Sequence, residues 1–210
     1  MARMEAVLDV YGLPYNPDIP IIVMDEQPVQ LFKETRVPIP ATRYHARRVD
    51  YEYERAGVAN IFMFAQPLAS WRRVSVRKYK TKIDWAHEVR VLLEKDFVNA
   101  KKIILVCDNL NTHSIGAFYE AFAPCLARSL ARRLEIVPTP KHGSWLNIAE
   151  NELSVLTVQC VKGRRFGTIE ELQEQTMAWA TAQNTRQKGV DWQFTAEDAR
   201  TKLRSLYPNI

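Results

Sequence analysis

The sequence lacks the features of a membrane, secreted or disulfide-stabilised protein. Its longest apolar runs, such as Ile21–Met24 and Ile103–Cys107, have the length of a strand and not of a bilayer span. The N-terminus has no basic-then-apolar signal pattern, so we expect a cytoplasmic protein without membrane association. The three cysteines are widely spaced and include no CxxC pair, which argues against a disulfide framework or a cysteine zinc site.

Glycine is also scarce, at 7 of 210 residues, and no internal repeat is present, so low-complexity and solenoid architectures are excluded. Hydrophobic residues make up 47% and charged residues 25% of the chain, which is typical of a globular protein with one substantial core. The net charge of +5 is compatible with nucleic-acid binding but does not establish it.

The order of apolar patterns predicts an α/β protein. Three strands in meander come first, and strands then alternate with helices, which predicts a mixed five-stranded sheet flanked by helices on both faces. Residues 1–20 predict a helix followed by an extended, proline-rich connector, and residues 21–210 predict one α/β domain. Within that domain, residues 27–58 are polar and charged, and we interpret them as a long insertion of loop and hairpin character.

Three acidic residues occupy positions where catalytic carboxylates are expected. Asp25 and Asp108 each follow a buried strand, and active sites of open α/β sheets gather at the carboxyl ends of strands. Glu150 lies on the apolar side of a helix that Ser144 is predicted to cap. Converging carboxylates repel one another unless a cation neutralises them, and oxygen ligands favour Mg²⁺ or Mn²⁺. Two such ions would serve phosphoryl transfer.

Each acid also has an ordinary structural interpretation. An acid at the end of a strand is often a turn residue or a helix N-cap, which applies to Asp25 and Asp108 taken singly. Glu150 has Lys141 and Arg164 as candidate ion-pair partners, and all three acids could form structural salt bridges only. Taken together, in strand, strand and helix order, they favour a metal site.

Three sequence blocks then give a specific resemblance. VMDEQPVQL surrounds Asp25, LVCDNLNTH surrounds Asp108, and PTPKHGSWLNIAENELSVL surrounds Glu150. The Asp-Asn-x-x-x-His and Trp-Leu-Asn-x-x-Glu patterns are more discriminating than the acids alone. With these blocks, nearly the whole chain resembles the catalytic domain of DDE transposases of the mariner superfamily, in particular the bacterial insertion-sequence branch.

The resemblance implies a ribonuclease H-like fold in which Asp25, Asp108 and Glu150 are the catalytic, metal-binding residues. It implies two-metal-ion cleavage of DNA at transposon ends and strand transfer to target DNA, at TA dinucleotides, by a homodimer in the synaptic complex. Members of the family normally begin with helix-turn-helix modules, and this sequence starts at what resembles the linker helix after them. The family's Tyr-Ser-Pro-Asp-Leu-Asn-Pro loop is replaced here by residues 141–147.

Other residues are candidates for supporting roles. Asn109, His113 and Asn147 lie near an acid along the chain and are predicted to orient the carboxylates, while His113 could equally contact a phosphate or cap the start of a helix. The basic run in residues 71–83 could be a solvated edge strand, but six bases without an acid favour contacts with the DNA backbone. The loop and the tryptophan that precede Glu150 are further candidates for DNA contacts. The predicted DNA-binding residues are therefore Arg72, Arg73, Arg77, Lys78, Lys141, His142, Trp145, Lys162, Arg164 and Arg165.

Two other functions remain open at this point. The first is a metal-dependent DNA nuclease that hydrolyses strands without joining them. The second is a DNA-binding remnant that has lost its chemistry, against which the presence of Asp25, Asp108 and Glu150 argues.

Overall fold

A computed structural model describes residues 1–46, 48, 50–141, 143–187, 189–190 and 192–207. The strands are β1 (Ile21–Glu34), β2 (Tyr53–Gln66), β3 (Trp71–Arg77), β4 (Ile103–Cys107) and β5 (Leu134–Pro138). The helices are α1 (Ala2–Tyr11), α2 (Lys82–Val91), α3 (Gly116–Ala121), α4 (Pro124–Arg132), α5 (Ile148–Leu156), α6 (Ile169–Arg186) and α7 (Ala196–Lys202).

The strands form one mixed sheet, which confirms the predicted fold class. Their order is β3-β2-β1-β4-β5. β1, β2 and β3 are antiparallel neighbours, whereas β4 pairs in parallel with β1 and β5 pairs in parallel with β4. The meander therefore forms one half of the sheet, and the alternating strands form the other.

Alternation along the strands separates two cores, one on each face of the sheet. On β1, Val23 packs into the core beneath α1, α5, α6 and α7, while its neighbour Met24 packs into the core beneath α2, α3 and α4. Trp85 and Phe118 fill the second core and are fully buried. Consecutive residues of β1 thus point to different helical layers. The same alternation applies to Asp25 and Glu26, which follow Met24.

The predicted insertion is shorter than expected, since regular strands extend into both of its ends. β1 continues to Glu34 and β2 begins at Tyr53, so residues 35–52 alone connect them. A register shift between Gln30 and Phe32 interrupts the β1–β2 ladder. Pro28 is accommodated because it lies beyond the segment that pairs with β4, so β1 is hydrogen-bonded there on one side only.

α1 packs on the same face of the sheet as α5. Met4, Val7 and Leu8 are buried there, and the Tyr11 hydroxyl donates a hydrogen bond of 2.8 Å to the Leu146 carbonyl. Within the part of the chain that the structure describes, no helix is long and apolar enough to cross a membrane.

Candidate active site

Asp25 lies inside β1, which corrects the expectation that this strand ends there. The residue pairs with Met63 across the β1–β2 ladder, and the strand runs on for nine residues, to Glu34. The parallel ladder with β4 ends at Val23, however, so Asp25 still lies at the carboxyl edge of the parallel half of the sheet. Strand alternation directs its side chain to the face that α5 covers.

Asp108 follows the last residue of β4 and is placed level with Asp25. Val23 is the register partner of Val106, so each acid lies two residues beyond this pair on neighbouring strands. Asp108 is partly exposed, which leaves it accessible from the edge of the sheet.

Glu150 lies in the first turn of α5, whose start differs from the prediction. Ser144–Leu146 forms a single 3₁₀ turn, and the helix begins at Ile148 with Asn147 as its N-cap. The Asn147 side chain accepts a hydrogen bond of 3.2 Å from the Ala149 N–H and donates one of 2.9 Å to the Met24 carbonyl. Asn147 therefore fixes α5 to β1 beside Asp25, through the backbone and not through the Glu150 carboxylate as expected.

Asp108 and Glu150 are close enough to Asp25 to affect its ionisation. Burial raises the pKa of Asp25 to about 6, although a hydrogen bond from the Glu26 N–H opposes this effect. The negative charges of Asp108 and Glu150 raise the pKa further. The structure thus places Asp108 and Glu150 near Asp25, and their charges act on its carboxyl group.

The donor set suits a hard divalent cation. Carboxylate oxygens are the ligands that Mg²⁺ and Mn²⁺ prefer, and a cation would stabilise the charged form of Asp25 that burial and the neighbouring acids disfavour. Among the described residues, however, no three His, Cys, Asp or Glu side chains lie close enough together to hold an ion jointly. The acids therefore have the chemistry of a metal site, and metal binding would require them to converge.

Sequence reasoning missed Glu26, which completes the surroundings of Asp108. His113 lies between the two acids, with Nδ1 2.6 Å from Asp108 Oδ1 and Nε2 3.1 Å from Glu26 Oε1. Both side chains of the His113–Glu26 pair are at least 97% buried, and the imidazole stacks on Trp85 with ring centroids 5.7 Å apart. The sequence could have indicated this position of Glu26. Glu26 is two residues after the buried Met24, so both side chains lie on the α2 face of β1.

His113 is held in its charged form. Burial alone would lower its pKa, but hydrogen bonds to Asp108, Cys107 and Glu26 outweigh burial and raise the pKa well above the ordinary value. The positively charged imidazole therefore neutralises the charges of Asp108 and Glu26 together. It also fixes the orientation of the Asp108 carboxylate, which is the role predicted for His113. Asn109, by contrast, is exposed on the loop after β4.

Replacing Asn147 by alanine should destabilise the protein more than loss of a helix cap alone. The variant loses its cap and leaves the buried Met24 carbonyl without this donor, for a combined cost of about 2–3 kcal/mol. Thr168→Ala is the matched control, because Thr168 caps α6 through one bond to the Glu171 N–H, and should cost about 1 kcal/mol. Urea unfolding of both variants checks the difference, and equal costs would contradict the proposed tie to β1.

The arginines of β3 do not form the exposed DNA-binding surface that the sequence predicts. Arg72 forms a buried ion pair with Glu152, and its charge is thus directed into the protein. Arg73 and Arg77 both pair with Glu88 of α2, at 2.5 and 2.6 Å. These guanidinium groups hold helices to the sheet. Of the four predicted DNA-binding residues in this run, Lys78 alone is exposed.

The remaining predicted contacts are spread over the loops around α5. Lys141 and Lys162 are exposed, and Trp145 is 47% exposed with its ring edge-on to Phe194. Arg164 bonds to Gln175, while Arg165 bonds to Glu34 and so has a structural role. His142 lies outside the described residues.

The sheet order, with acids gathered at the carboxyl edge of its parallel half, is that of a ribonuclease H-like fold. Residues 20–173 match the model of a family described as DDE superfamily endonuclease. The chain belongs to this DDE endonuclease family. No curated protein matches the sequence.

Solved structures of similar fold come from Mos1 transposase. The Mos1 mariner paired-end complex with Mn superposes with a TM-score of 0.55 at 15% identity, over 86% of this chain and 53% of that chain. The Mos1 paired-end complex with the left transposon end gives 0.56 at 13% identity, over 89% and 56% of the two chains. At this identity the similarity shows the fold, and the chain spans about half the length of these relatives.

Proposed function

We propose that the chain is the catalytic domain of a DNA transposase that cleaves the ends of a mobile element and joins them to target DNA. The observation that carries this proposal is the group of Asp25, Asp108 and Glu150 at one edge of the sheet, with the pKa of Asp25 raised to about 6. Membership of the DDE endonuclease family and a fold shared with Mos1 transposase support it.

Asp25, Asp108 and Glu150 would hold two Mg²⁺ or Mn²⁺ ions, in keeping with Mos1 complexes solved with Mn and with Mg. Such ions activate an attacking oxygen and stabilise the leaving one in an in-line displacement. The protein's part is to place the carboxylates. His113 orients Asp108, and Asn147 fixes the start of α5 so that Glu150 lies over β1.

An open groove beside Glu150 offers a path for a DNA strand. It runs along α5 and is lined by Glu26, Gln27, Glu150, Leu153, Ser154, Thr157 and Val158. Exposed residues lie on the loops at the two ends of the helical segment that contains α5. Lys141 and Lys162 are expected to contact phosphates there, and the ring of Trp145 is expected to stack on a base. We propose that DNA contacts come from these residues, with His142 and Lys78, and not from the arginines of β3.

Target choice and assembly belong to the same proposal. We expect insertion at TA dinucleotides by a homodimer that holds two element ends, as the paired-end form of the Mos1 complexes suggests. Residues 1–20 would serve as a linker helix and extended connector, and residues 21–210 as the catalytic domain.

The decisive experiment separates cleavage from joining. Wild-type protein with Mn²⁺ should nick duplexes that carry the terminal sequences of its own mobile element, and pre-cleaved ends with a free 3′-hydroxyl should be joined to a plasmid. Asp108→Asn should do neither, while the exposed-site control Glu120→Gln should do both. Sequencing of the junctions tests the TA preference.

Each alternative has its own result in this assay. Nicking without joined product would identify a metal-dependent nuclease and overturn the transposase proposal. Retardation of DNA in a gel without nicking or joining would identify a DNA-binding remnant.

A further inference from the structure

An ion pair is buried between the edge strand β3 and the helix that carries Glu150. Arg72 Nε lies 2.5 Å from Glu152 Oε2, and its Nη2 lies 2.7 Å from Glu152 Oε1, so the contact is bidentate. The Arg72 and Glu152 side chains are 7% and 9% exposed. The partners are separated by 80 residues in sequence.

Such a pair contributes little net stability, because the desolvation of two charges offsets much of their attraction. A pair of well-packed apolar residues would serve the core at least as well. Its fixed, two-point geometry, on the other hand, restricts the orientation of both elements that it joins. The Arg72–Glu152 pair therefore has an orienting effect on β3 and α5.

Arg72 is itself held rigidly. Its backbone N–H donates to Asn184 Oδ1 and its carbonyl accepts from Asn184 Nδ2, both at 2.8 Å, which joins β3 to α6. Its Nη1 also donates to the Ser70 carbonyl at 3.1 Å. The guanidinium is thus a fixed point relative to the sheet.

α5 is attached to the sheet on either side of Glu150. Asn147 binds the Met24 carbonyl of β1 at the start of the helix, and Glu152 binds Arg72 of β3 about 7 Å further along the helix axis. Two attachments to different strands fix both the position of a helix and its rotation about its own axis. Glu150 lies between them, so its direction follows from theirs.

We propose that Arg72 is a positioning residue whose pair with Glu152 sets the rotation of α5, so that the Glu150 carboxylate faces Asp25 and Asp108. The inference rests on the proposed function of these acids and deepens it. Arg72, which looked like a DNA contact in the sequence, acts from the opposite side of the helix by way of Glu152.

The test replaces the pair by apolar residues of similar size. Arg72→Met with Glu152→Leu should leave urea unfolding close to wild type, because no unpaired charge remains. Cleavage at saturating DNA and Mn²⁺ should fall about 10- to 100-fold, as for other partners that orient metal ligands. The Mn²⁺ affinity of the DNA-free protein should weaken in parallel, and α5 amides should exchange hydrogen faster.

The matched control is the ion pair on the other face of the same strand. Arg73 pairs with Glu88 of α2 and with Asp96, and it makes no contact with α5 among those described. Arg73→Met with Glu88→Leu should lower stability, because it leaves Asp96 without Arg73 and Arg77 without Glu88, but it should keep wild-type Mn²⁺ affinity and cleavage. Arg72→Lys retains the charge without the bidentate contact and should give an intermediate rate.

Wild-type cleavage and Mn²⁺ affinity in the apolar Arg72/Glu152 variant would overturn the positioning role, and so would equal losses in both double variants. If the apolar variant does not fold, Arg72→Lys decides the matter, since wild-type values there contradict the proposal. If wild-type protein itself does not cleave DNA, the proposed function fails, while Mn²⁺ affinity and α5 exchange still report on the positioning role.

Discussion

Replacing Asp25 by asparagine should reduce DNA cleavage by about 10³-fold or more while leaving a folded and more stable protein. The variant removes one of three carboxylates that would bind the catalytic ions, and losing several kcal/mol of charge stabilisation corresponds to a rate effect of this size. The fold should not suffer, because burial and the neighbouring negative charges both disfavour a charged Asp25 in the absence of metal. Single-turnover cleavage of a labelled duplex measures the rate.

The stability change has a definite dependence on pH. The pKa of Asp25 is about 6 in the folded protein and about 3.9 in an unfolded chain, so the native state binds more protons between these values. Wild-type stability therefore falls as pH rises from about 4 to 6, and the loss is complete above pH 6. In EDTA at pH 7, Asp25→Asn should be more stable than wild type by about 1–2 kcal/mol, with no difference near pH 4.

Urea unfolding in EDTA at the two pH values checks this sign, with Glu174→Gln as an exposed-site control. Added Mn²⁺ should stabilise the wild type and not Asp25→Asn, because a ligand stabilises only the form that binds it. A destabilised Asp25→Asn at pH 7 in EDTA would mean that Asp25 is an ordinary structural carboxylate. A metal-induced shift of equal size in both proteins would remove Asp25 from the metal site.

Replacing His113 by glutamine should destabilise the protein by about 3 kcal/mol near pH 6. The substitution removes a buried cation and leaves the carboxylate of Glu26, which is 3% exposed, without its closest charged partner. The Lys80 ammonium, 3.7 Å from Glu26 Oε2, would compensate only in part because it is itself 43% exposed.

The His113 effect should depend on pH in a direction that follows from its raised pKa. A histidine whose pKa is higher in the folded than in the unfolded state contributes its full stabilisation below about pH 6.5, and loses it as pH rises towards the folded value. Unfolding of both proteins by urea at pH 6 and pH 9 should therefore show a smaller difference at pH 9. The exposed His45, replaced by glutamine, is the control. A difference that grows with pH would exclude a charged His113.

The sequence predicted what depends on local pattern. Apolar runs located the five strands, and the meander followed by alternation predicted the mixed sheet. The apolar stripe through Leu146, Ala149, Leu153 and Leu156 is buried, which placed Glu150 towards the sheet. The capping residue of that helix was misassigned, since Ser144 and Asn147 are both good N-caps and the intervening 3₁₀ turn has no distinct pattern.

What the sequence could not reveal depends on partners that are distant along the chain. Arg72 and Arg73 stand in a run without acids, so they looked like a free basic surface, yet Glu152 and Glu88 neutralise them from other elements. The continuation of β1 past Asp25 was hidden for a similar reason. Its polar residues and Pro28 are typical of a loop, and only pairing with β2 makes them a strand.

The continuity of β1 through Asp25 and Glu26 also governs which insertions and deletions the gene can tolerate. Because neighbouring residues of a strand face opposite layers, one residue inserted between Val23 and Asp25 would direct Asp25 towards α2 and Glu26 towards α5. Beyond the register shift at Gln30 and Phe32, a change of length alters only the connection over residues 35–52. Length variation among relatives should therefore concentrate after Phe32, and the segment from Ile21 to Glu26 should keep its spacing.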